Sequence, residues 1–432
     1  MTAADLAAYL DALSAIVRPV RAADYPRPPE PYHALLHMLG NPQELIPAVI
    51  VAGSVGKGTA CHRIAAALQA RGVRVGTYTS PHLHSFRERY LLDGAIITRR
   101  AFIAGVQAVR AAARAAAPDH AFSTFELATA LALWWFAQER PDSVVMEVGL
   151  GGRFDAVGML PGALAVFTPI ETEHAAMLGG TLETIAWHKA GIMRAGMVAV
   201  SVPQPPPVMR VLHDEAARVG AHLTVEPQPL PLTLFIGAHR PPAHGGQPVS
   251  VTLLPMLTSG QGPGAPAAEL PARGERVRVH GRDVLIDGGH TPGSARWLRG
   301  LIELLTGIET PVRLVLAMLA DKNAAGYLSV FDSPRFHITL TQTGGHRAAA
   351  PEALAEAAVL QRAEVDIAPD MDEALLAGLN GPEALVVVCG SLRLAAAARE
   401  MLGLVPPDLL EEARSTRALF EDADYLGRID QP

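Results

Sequence analysis

Short apolar runs alternate with amphipathic segments along most of the chain. Residues 1–45 are predicted to form two short helices separated by a proline-rich stretch at residues 25–31. Because strands that alternate with helices at this spacing build βαβ units, the first half is expected to contain a mostly parallel sheet. Its strands are predicted at residues 45–52, 73–79, 143–147, 164–169 and 197–202, and its helices at residues 59–71, 101–116 and 123–139.

The alternation stops between residues 226 and 272, where proline and glycine are frequent and periodicity is weak. We interpret this segment as an irregular linker region. Together the patterns predict an α/β protein of two domains, residues 1–272 and a smaller domain at residues 273–432. In the second domain, strands are predicted at residues 284–287, 312–317, 337–341 and 384–388, and helices at residues 294–305, 352–357 and 392–402.

Composition narrows the possible classes of function. The chain has 432 residues and a formal net charge of −7, with no dense Lys/Arg tract, so no nucleic-acid partner is expected. The longest apolar stretch, residues 127–137, is too short to cross a bilayer, and the N-terminus lacks the features of a signal peptide. Cys61 and Cys389 are interpreted as reduced, buried thiols. We therefore expect a cytoplasmic protein without a membrane partner.

A glycine-rich segment, VIVAGSVGKGTA, lies between a predicted strand and a predicted helix. Glycines let backbone amides approach phosphate oxygens, and the helix N-terminus and Lys57 add positive charge. A purely structural turn is the alternative, and the spacing differs from the standard phosphate-loop pattern. The candidate nucleotide-binding residues are Gly53, Ser54, Val55, Gly56, Lys57, Gly58 and Thr59.

Three polar residues follow predicted strands and are candidates for one metal site. Glu147 ends the apolar run VVME, Ser80 follows VGTYT, and His174 follows AVFTPI. The carboxyl ends of parallel strands meet at one edge of a sheet, and Mg²⁺ prefers oxygen ligands. Ser80 could instead be only a turn residue, and His174 an ordinary surface or helix-cap histidine. Glu147 is harder to explain without a partner, because burying a lone carboxylate is costly.

Several segments, in order, resemble the folylpolyglutamate synthase/dihydrofolate synthase family of the Mur ligase superfamily. Each is weak or moderate alone, and their shared order makes the resemblance specific. Besides the phosphate loop, the segments are TSPHL at residues 79–83, SFRER at 85–89, EVGLGGRFDA at 147–156, EH at 173–174, LG at 178–179, KAGI at 189–192 and DGGHTP at 287–292.

The resemblance implies an N-terminal Mur-ligase-like ATPase domain with a phosphate loop and a C-terminal, Rossmann-like glutamate-ligase domain. It implies that Ser80, Glu147 and His174 bind Mg²⁺. It also implies that Lys189, once carbamylated by CO₂, helps to hold a second Mg²⁺. A buried lysine loses its proton more easily, which agrees with that chemistry, although Lys189 could be an ordinary solvated helix residue. Lys57, Lys189 and His174 are the candidate catalytic residues.

The same resemblance assigns nucleotide and acceptor contacts. Arg273 and Asp287 match residues that contact ATP, although Arg273 could be an ordinary exposed arginine. His290 is a further candidate for substrate binding. The segment of residues 123–126 could be only a capped helix N-terminus, because Ser123 and Glu126 have the spacing of a capping box. The positions that match pterin-binding segments are Ser123, Thr124, Phe125, Glu126, Phe154, Asp155 and Ala156.

The implied reaction is ATP-dependent ligation. ATP phosphorylates a carboxylate acceptor, expected to be dihydropteroate or a folate, and an amino acid, expected to be L-glutamate, attacks the acyl phosphate. The expected cofactors are ATP and two Mg²⁺ ions, the partners are small molecules, and the protein is expected to be a monomer.

The chain departs from the family pattern mainly at nucleotide and linker positions. Val55 replaces an asparagine, and His188 replaces a glutamate. Thr291 replaces the asparagine of the family's His-Asn-Pro segment. The linker asparagine that contacts ATP has no counterpart in GAHRPPAHGGQPV, and DAVG replaces DATN. Two alternatives therefore stay open: a Mur-type ligase for a non-folate acid, and a non-catalytic nucleotide-binding paralogue.

Overall fold

The computed structural model describes residues 2–17, 26, 29–225, 232–234, 249–251, 270–345, 347–357 and 360–419. Contacts divide the chain into two units, the first holding Met1–His82 and Phe86–Ala268 and the second holding Leu83–Ser85 and Glu269–Tyr425. The predicted boundary after residue 272 lies close to this division, and most of the predicted linker falls outside the described residues. No helix in the described part of the chain is both long enough and apolar enough to cross a bilayer.

The first unit is built on an eight-stranded sheet with the order β4-β3-β2-β5-β1-β6-β7-β8. Strands β2, β5, β1, β6, β7 and β8 run parallel, which confirms the mostly parallel sheet that the sequence predicts. The strands are β1 (Ala48–Ala52), β2 (Val75–Tyr78), β3 (Tyr90–Leu92), β4 (Ala95–Ile96), β5 (Ser143–Glu147), β6 (Leu164–Phe167), β7 (Val198–Ser201) and β8 (His222–Val225).

Helices cover the faces of this sheet, so its central strands are buried on both sides. Every residue of β1 and β5 is buried, which explains why these strands are continuous apolar runs without alternation. One core cluster joins Val49 and Val145 of the sheet to Ile64 of helix α3. The helices are α1 (Ala3–Ile16), α2 (Pro29–Met38), α3 (Lys57–Gln69), α4 (Arg99–Ala116), α5 (Thr124–Glu139), α6 (Ala175–Leu178), α7 (Leu182–Ala190) and α8 (Pro206–Val219).

The sequence pattern missed several elements of the first unit. Strands β3 and β4 pair antiparallel at the sheet edge, on either side of a turn at Asp93 and Gly94, which both have positive φ. These strands are too short to produce a clear period of two. The segment predicted to be irregular contains two short antiparallel strands, β9 (Leu232–Leu234) and β10 (Val249–Val251), so that prediction was wrong at these residues.

The second unit contains a six-stranded sheet with the order β11-β12-β16-β13-β14-β15. All pairings are parallel except β11 with β12. The strands are β11 (Arg273–Val279), β12 (Arg282–Asp287), β13 (Val312–Leu316), β14 (Phe336–Leu340), β15 (Glu364–Ile367) and β16 (Leu385–Cys389). The helices are α9 (Pro292–Thr306), α10 (Ala324–Leu328), α11 (Pro351–Ala357), α12 (Met371–Asn380), α13 (Leu392–Met401) and α14 (Pro407–Leu419).

Both edge strands of the second sheet were missed from the sequence. Strand β11 alternates arginines with valines and is only partly buried, and β15 is exposed along its whole length. Edge strands need little apolar surface, so neither segment contains the continuous apolar run from which strands were predicted. Arg273, which the resemblance matches to a residue that contacts ATP, is the first residue of β11.

Candidate functional site

The predicted site residues of the first unit follow strands that are neighbours in its sheet. Strands β2, β5, β1 and β6 lie side by side and run parallel, so their carboxyl ends share one edge. Ligands of open α/β sheets bind outside this edge. The topology therefore brings Ser80, Glu147, the phosphate loop and the segment leading to His174 to the same edge.

The phosphate loop connects β1 to α3 and is fastened to the loop after β6. The backbone amide of Ser54 donates to the carbonyl oxygen of Pro169 over 2.8 Å, and the Ser54 hydroxyl donates to the carbonyl oxygen of Glu171 over 2.9 Å. A Cβ at Gly53 would overlap the side chain of Thr168, so this close approach requires glycine. Helix α3 begins at Lys57, where the first amides of a helix have no acceptor within it.

Glu147 lies beside this loop. Its carboxylate is buried, and its Oε2 accepts a 2.9 Å hydrogen bond from the backbone amide of Ser80. A Cβ at Gly58 would lie 3.3 Å from the same oxygen, which shows how closely the start of α3 approaches the carboxylate. The structure thus brings together Ser80, Glu147 and the phosphate loop. The backbone amide of Ser80 is one hydrogen-bond partner of the buried Glu147 carboxylate.

His174 has a left-handed backbone conformation, with φ 52°, and caps the short helix α6. Its Nε2 lies 3.6 Å from Oε1 of Glu173. Among the described residues, no group of three or more His, Cys, Asp and Glu side chains could hold a metal ion. Only Glu147 and His174 of the predicted metal ligands belong to these residue types. The participation of His174 in metal binding stays a prediction.

Lys189 lies in the last turn of α7 and is 5% exposed. Its Nζ donates a 2.7 Å hydrogen bond to the carbonyl oxygen of Gly53 in the phosphate loop. The pKa of Lys189 is lowered to about 7, mainly by burial and also by the positive charge of Lys57, while Glu173 and Asp155 oppose the shift. The solvated helix lysine considered from the sequence is excluded, and Glu173 is a nearby carboxylate to which the sequence analysis gave no role.

The first predicted acceptor segment lies against the turn after β5, which leads to the second segment. Ser123 and Glu126 form a capping box at the start of α5, in which the Ser123 amide donates to Glu126 Oε2 over 2.7 Å. The ring of Phe125 lies against Gly149, where a Cβ would be 2.7 Å from the ring carbons. Residues 123–126 therefore do form the capped helix N-terminus considered as the alternative. The same residues also contact the turn after β5 through Phe125. Thr124 and Ala156 are buried.

Asp155 is buried within the turn after β5. Its Oδ2 accepts from the amide of Leu150 over 3.0 Å, and its Oδ1 accepts from the amide of Val157 over 2.9 Å. Burial raises the pKa of the Asp155 carboxyl to about 6, although these backbone amides act in the opposite direction. Asp155 thus organises the turn. The neighbouring ring of Phe154 lies 6.1 Å from that of Trp187 and 5.8 Å from that of His188.

The predicted nucleotide contacts of the second unit lie close together. Arg273 and Asp287 are paired residues of the antiparallel strands β11 and β12. The Asp287 carboxylate accepts from the amides of Gly274 and Gly289 over 3.0 and 2.8 Å. Burial raises the pKa of Asp287, while the charges of Arg273 and His290 act to lower it. Within this unit, the three predicted residues form one group.

Comparisons with known proteins agree with this arrangement. A family model described as the Mur ligase, glutamate ligase domain matches residues 272–392. Folylpolyglutamate synthase from Lacticaseibacillus casei is 32% identical over 408 residues, which cover 85% of this chain and 92% of that protein. Dihydrofolate synthase/folylpolyglutamate synthase from Escherichia coli (strain K12) is 31% identical, covering 82% of this chain and 86% of that protein.

Solved structures show the same fold. Escherichia coli FolC in complex with DHPP and ADP matches with a TM-score of 0.76 and 27% identity, covering 92% of this chain and 98% of that one. A bifunctional folylpolyglutamate synthase/dihydrofolate synthase with Mn, AMPPNP and L-glutamate bound matches with a TM-score of 0.70 and 30% identity, covering 87% and 93%. The predicted two-domain α/β fold and the predicted class of ATP-dependent ligase are confirmed. The chain belongs to the folylpolyglutamate synthase/dihydrofolate synthase family.

Proposed function

We propose that this protein joins L-glutamate to the carboxylate of dihydropteroate or a folate, in a reaction that consumes ATP and passes through an acyl phosphate. The observation that carries the proposal is the position of Glu147, whose carboxylate lies beside both the Ser80 amide and the start of α3. A buried carboxylate next to a phosphate loop is suited to a metal-bound nucleotide.

The donor set fits Mg²⁺. Glu147 and Ser80 offer a carboxylate and a hydroxyl oxygen at one sheet edge, and oxygen atoms are the ligands that Mg²⁺ prefers. We assign the first ion to Ser80, Glu147 and His174, and a second ion to carbamylated Lys189. When bound, Mg²⁺ neutralises charge between the β- and γ-phosphates.

The chain itself positions the phosphates. Lys57 and the first amides of α3 present positive charge to the γ-phosphate. The phosphoryl group moves from ADP oxygen to an oxygen of the acceptor carboxylate. The glutamate amine then attacks the acyl carbon, and phosphate leaves the tetrahedral intermediate while the amine loses its proton. Exclusion of water protects the acyl phosphate until the amine reacts.

Lys189 is suited to carbamylation because its pKa is lowered to about 7, so a large fraction is neutral near neutral pH. In this step the Nζ lone pair bonds to the carbon of CO₂, one C–O π bond becomes an anionic oxygen, and the nitrogen releases a proton. The product is an additional oxygen ligand next to the phosphate loop, where Nζ lies 2.7 Å from the Gly53 carbonyl oxygen.

Relatives with bound ligands support the choice of substrates. One solved relative holds Mn, AMPPNP and L-glutamate, and another holds DHPP and ADP. The turn built by Phe125, Gly149 and Asp155 is our candidate acceptor site, with Ser123, Thr124, Glu126, Phe154 and Ala156. We further assign Arg273, Asp287 and His290 to nucleotide and substrate contacts, and we expect a cytoplasmic monomer.

A non-folate acid is the second candidate acceptor. Phe154 and His188 form an aromatic group with Trp187 next to the acceptor turn, and His188 stands where the family pattern has glutamate. At this position an imidazole ring therefore replaces a carboxylate beside the candidate acceptor turn.

The test is ADP release by the purified full-length protein with ATP, Mg²⁺, L-glutamate and either dihydropteroate or tetrahydrofolate. We expect ADP release that depends on both the acceptor and glutamate, with a product heavier by one glutamate residue. Release with only a non-pterin carboxylic acid would support the second candidate. Tight ATP binding with no release for any acid in a broad panel would instead identify a non-catalytic paralogue.

A further inference from the structure

The Gly-Gly-Arg turn at residues 151–153 packs against the C-terminal end of α7. The backbone amide of Arg153 donates to the carbonyl oxygen of His188 over 2.7 Å, and its Nη2 donates to the carbonyl oxygen of Trp187 over 3.1 Å. The guanidinium carbon of Arg153 lies 4.0 Å from the centroid of the Trp187 ring. One arginine therefore contacts the helix end through its backbone, its charge and its planar face.

Two glycines allow this close approach. Gly152 has φ 151°, and a Cβ there would lie 3.0 and 3.1 Å from the carbonyl oxygens of His188 and Lys189. A Cβ at Gly191 would overlap the side chain of Arg153. The backbone of the turn therefore packs closely against the backbone of the helix end, and Gly152 approaches the carbonyl oxygen of Lys189 itself.

Glu215 of α8 holds Arg153 from the other side. Its Oε1 lies 2.7 Å from Arg153 Nη2, and its side chain is only 5% exposed. The same carboxylate accepts from Arg218, whose side chain is 62% exposed. Because the Arg153–Glu215 pair is largely buried, losing one partner leaves the other poorly compensated, which makes the pair sensitive to substitution.

The helix end needs such a partner. Helix α7 has nine residues, and its last carbonyls have no acceptor role within the helix. Arg153 supplies two donors and a positive charge there, which favours the helix C-terminus. Without the side-chain contacts, the last turn, which carries Lys189, is attached to the turn after β5 less firmly, through the backbone bond from Arg153 to His188 and the packing of Gly152.

We propose that Arg153, held by Glu215, is a positioning residue that keeps the Nζ of Lys189 at the phosphate loop. Its effect on carbamylation rests on the proposed function, whereas its effect on the position of Nζ does not. Substituting a residue that orients a metal-binding group commonly lowers metal affinity or activity by about 10–100-fold.

The test compares three variants of the full-length protein with the wild type. Arg153→Met keeps the aliphatic stem and the backbone hydrogen bond to the His188 carbonyl oxygen, and it removes the charge and the side-chain donors. Glu215→Gln keeps the shape of the anchor and removes its charge. Arg218→Ala is the matched control, because Arg218 donates to the same carboxylate of Glu215 from the same helix, α8. Melting temperatures establish that each variant is folded.

The first readout is carbamate formation from [¹³C]bicarbonate, followed by NMR. The chain has three lysines, Lys57, Lys189 and Lys322, so a lysine carbamate signal can be assigned by replacing each in turn. We expect the bicarbonate concentration for half-maximal signal to rise about tenfold or more in Arg153→Met, and to rise less in Glu215→Gln. Arg218→Ala should match the wild type within about twofold.

The second readout is a crystal structure of Arg153→Met, in which Nζ of Lys189 should have left the Gly53 carbonyl oxygen. A folded variant with wild-type carbamate formation and an unchanged Nζ position overturns the inference. If Arg153→Met does not fold, Glu215→Gln decides by the same two readouts. Absence of carbamate and of ADP release in the wild type would overturn the proposed function, and the Nζ position would still decide the inference.

Discussion

Lys189 and Gly53 are joined by a hydrogen bond of 2.7 Å, from the lysine amine to a carbonyl oxygen of the phosphate loop. The two residues are 136 positions apart in the sequence. The bond links the end of α7 to the loop that would hold the nucleotide, so the reactivity of the amine and the order of the loop are coupled.

The lowered pKa of Lys189 predicts when its amine reacts. At a fixed partial pressure of CO₂, the initial rate of ¹³CO₂ incorporation should rise with pH and reach half of its maximum near the pKa of about 7. The sign follows because only the neutral amine is a nucleophile and burial disfavours the ammonium form. Lys189→Arg is the control and should lack the carbamate signal assigned to Lys189. A rate still rising steeply above about pH 9 would show an ordinary lysine.

Glu147→Gln should weaken metal binding while preserving the fold. The new amide oxygen can still accept from the Ser80 backbone amide, but the negative charge is lost. We expect the Mg²⁺ concentration for half-maximal ADP release to rise about tenfold or more. The control is Glu303→Gln, which removes a carboxylate from an i,i+4 surface pair in the second unit and should change little. An unchanged Mg²⁺ requirement in Glu147→Gln would rule out its role as a ligand.

Asp155 predicts a pH dependence of stability. Its pKa is raised from 3.8 to about 6 in the folded protein, so between these values the folded state binds more protons than the unfolded state. The free energy of unfolding therefore falls as pH rises through this window. Asp155→Asn removes this contribution, so the stability of the wild type relative to the variant should drop by about 2 kcal/mol from pH 4 to 6.5. Urea unfolding at both pH values measures it, and parallel pH dependences would refute the assignment.

Tyr32→Phe should leave stability unchanged or raise it. Tyr32 is fully buried, and its hydroxyl has no hydrogen-bond partner in the described part of the chain. A buried, unpaired hydroxyl costs about 1–3 kcal/mol, which the substitution relieves. Tyr90→Phe is the matched control, because the Tyr90 hydroxyl donates to the Ala128 carbonyl oxygen over 3.3 Å. Its loss should destabilise by about 1 kcal/mol. Urea midpoints that move in the same direction for both variants would contradict this difference.

The sequence predicted the site features that are encoded by residues close together in the chain. The apolar run ending at Glu147 and the glycines before Lys57 are local patterns, and the strand order at the sheet edge follows from βαβ units. The partners of these residues are not local. The Ser80 amide at Glu147, the Gly53 carbonyl at Lys189 and the Phe125 ring at Gly149 each involve segments distant in sequence.

The same limit explains why Arg153 and Glu173 were overlooked. Arg153 lies in the EVGLGGRFDA segment, which does not reveal its partner, because Glu215 lies in a helix that the pattern did not predict. Glu173 precedes His174 in the sequence, but its influence on Lys189 depends on how the loop after β6 folds against α7. Side-chain chemistry between separate elements requires the tertiary structure.

The hairpin of β11 and β12 also constrains how this protein can vary. Arg273 faces Asp287 only because the register shifts at Gly274, a residue with φ 68° whose missing Cβ leaves room for Trp297. An insertion or deletion of one residue between Gly274 and the hairpin turn would displace the arginine from the aspartate and turn neighbouring side chains to the opposite face. Length changes in related proteins should therefore occur at the tip, near Gly281, and not within either arm.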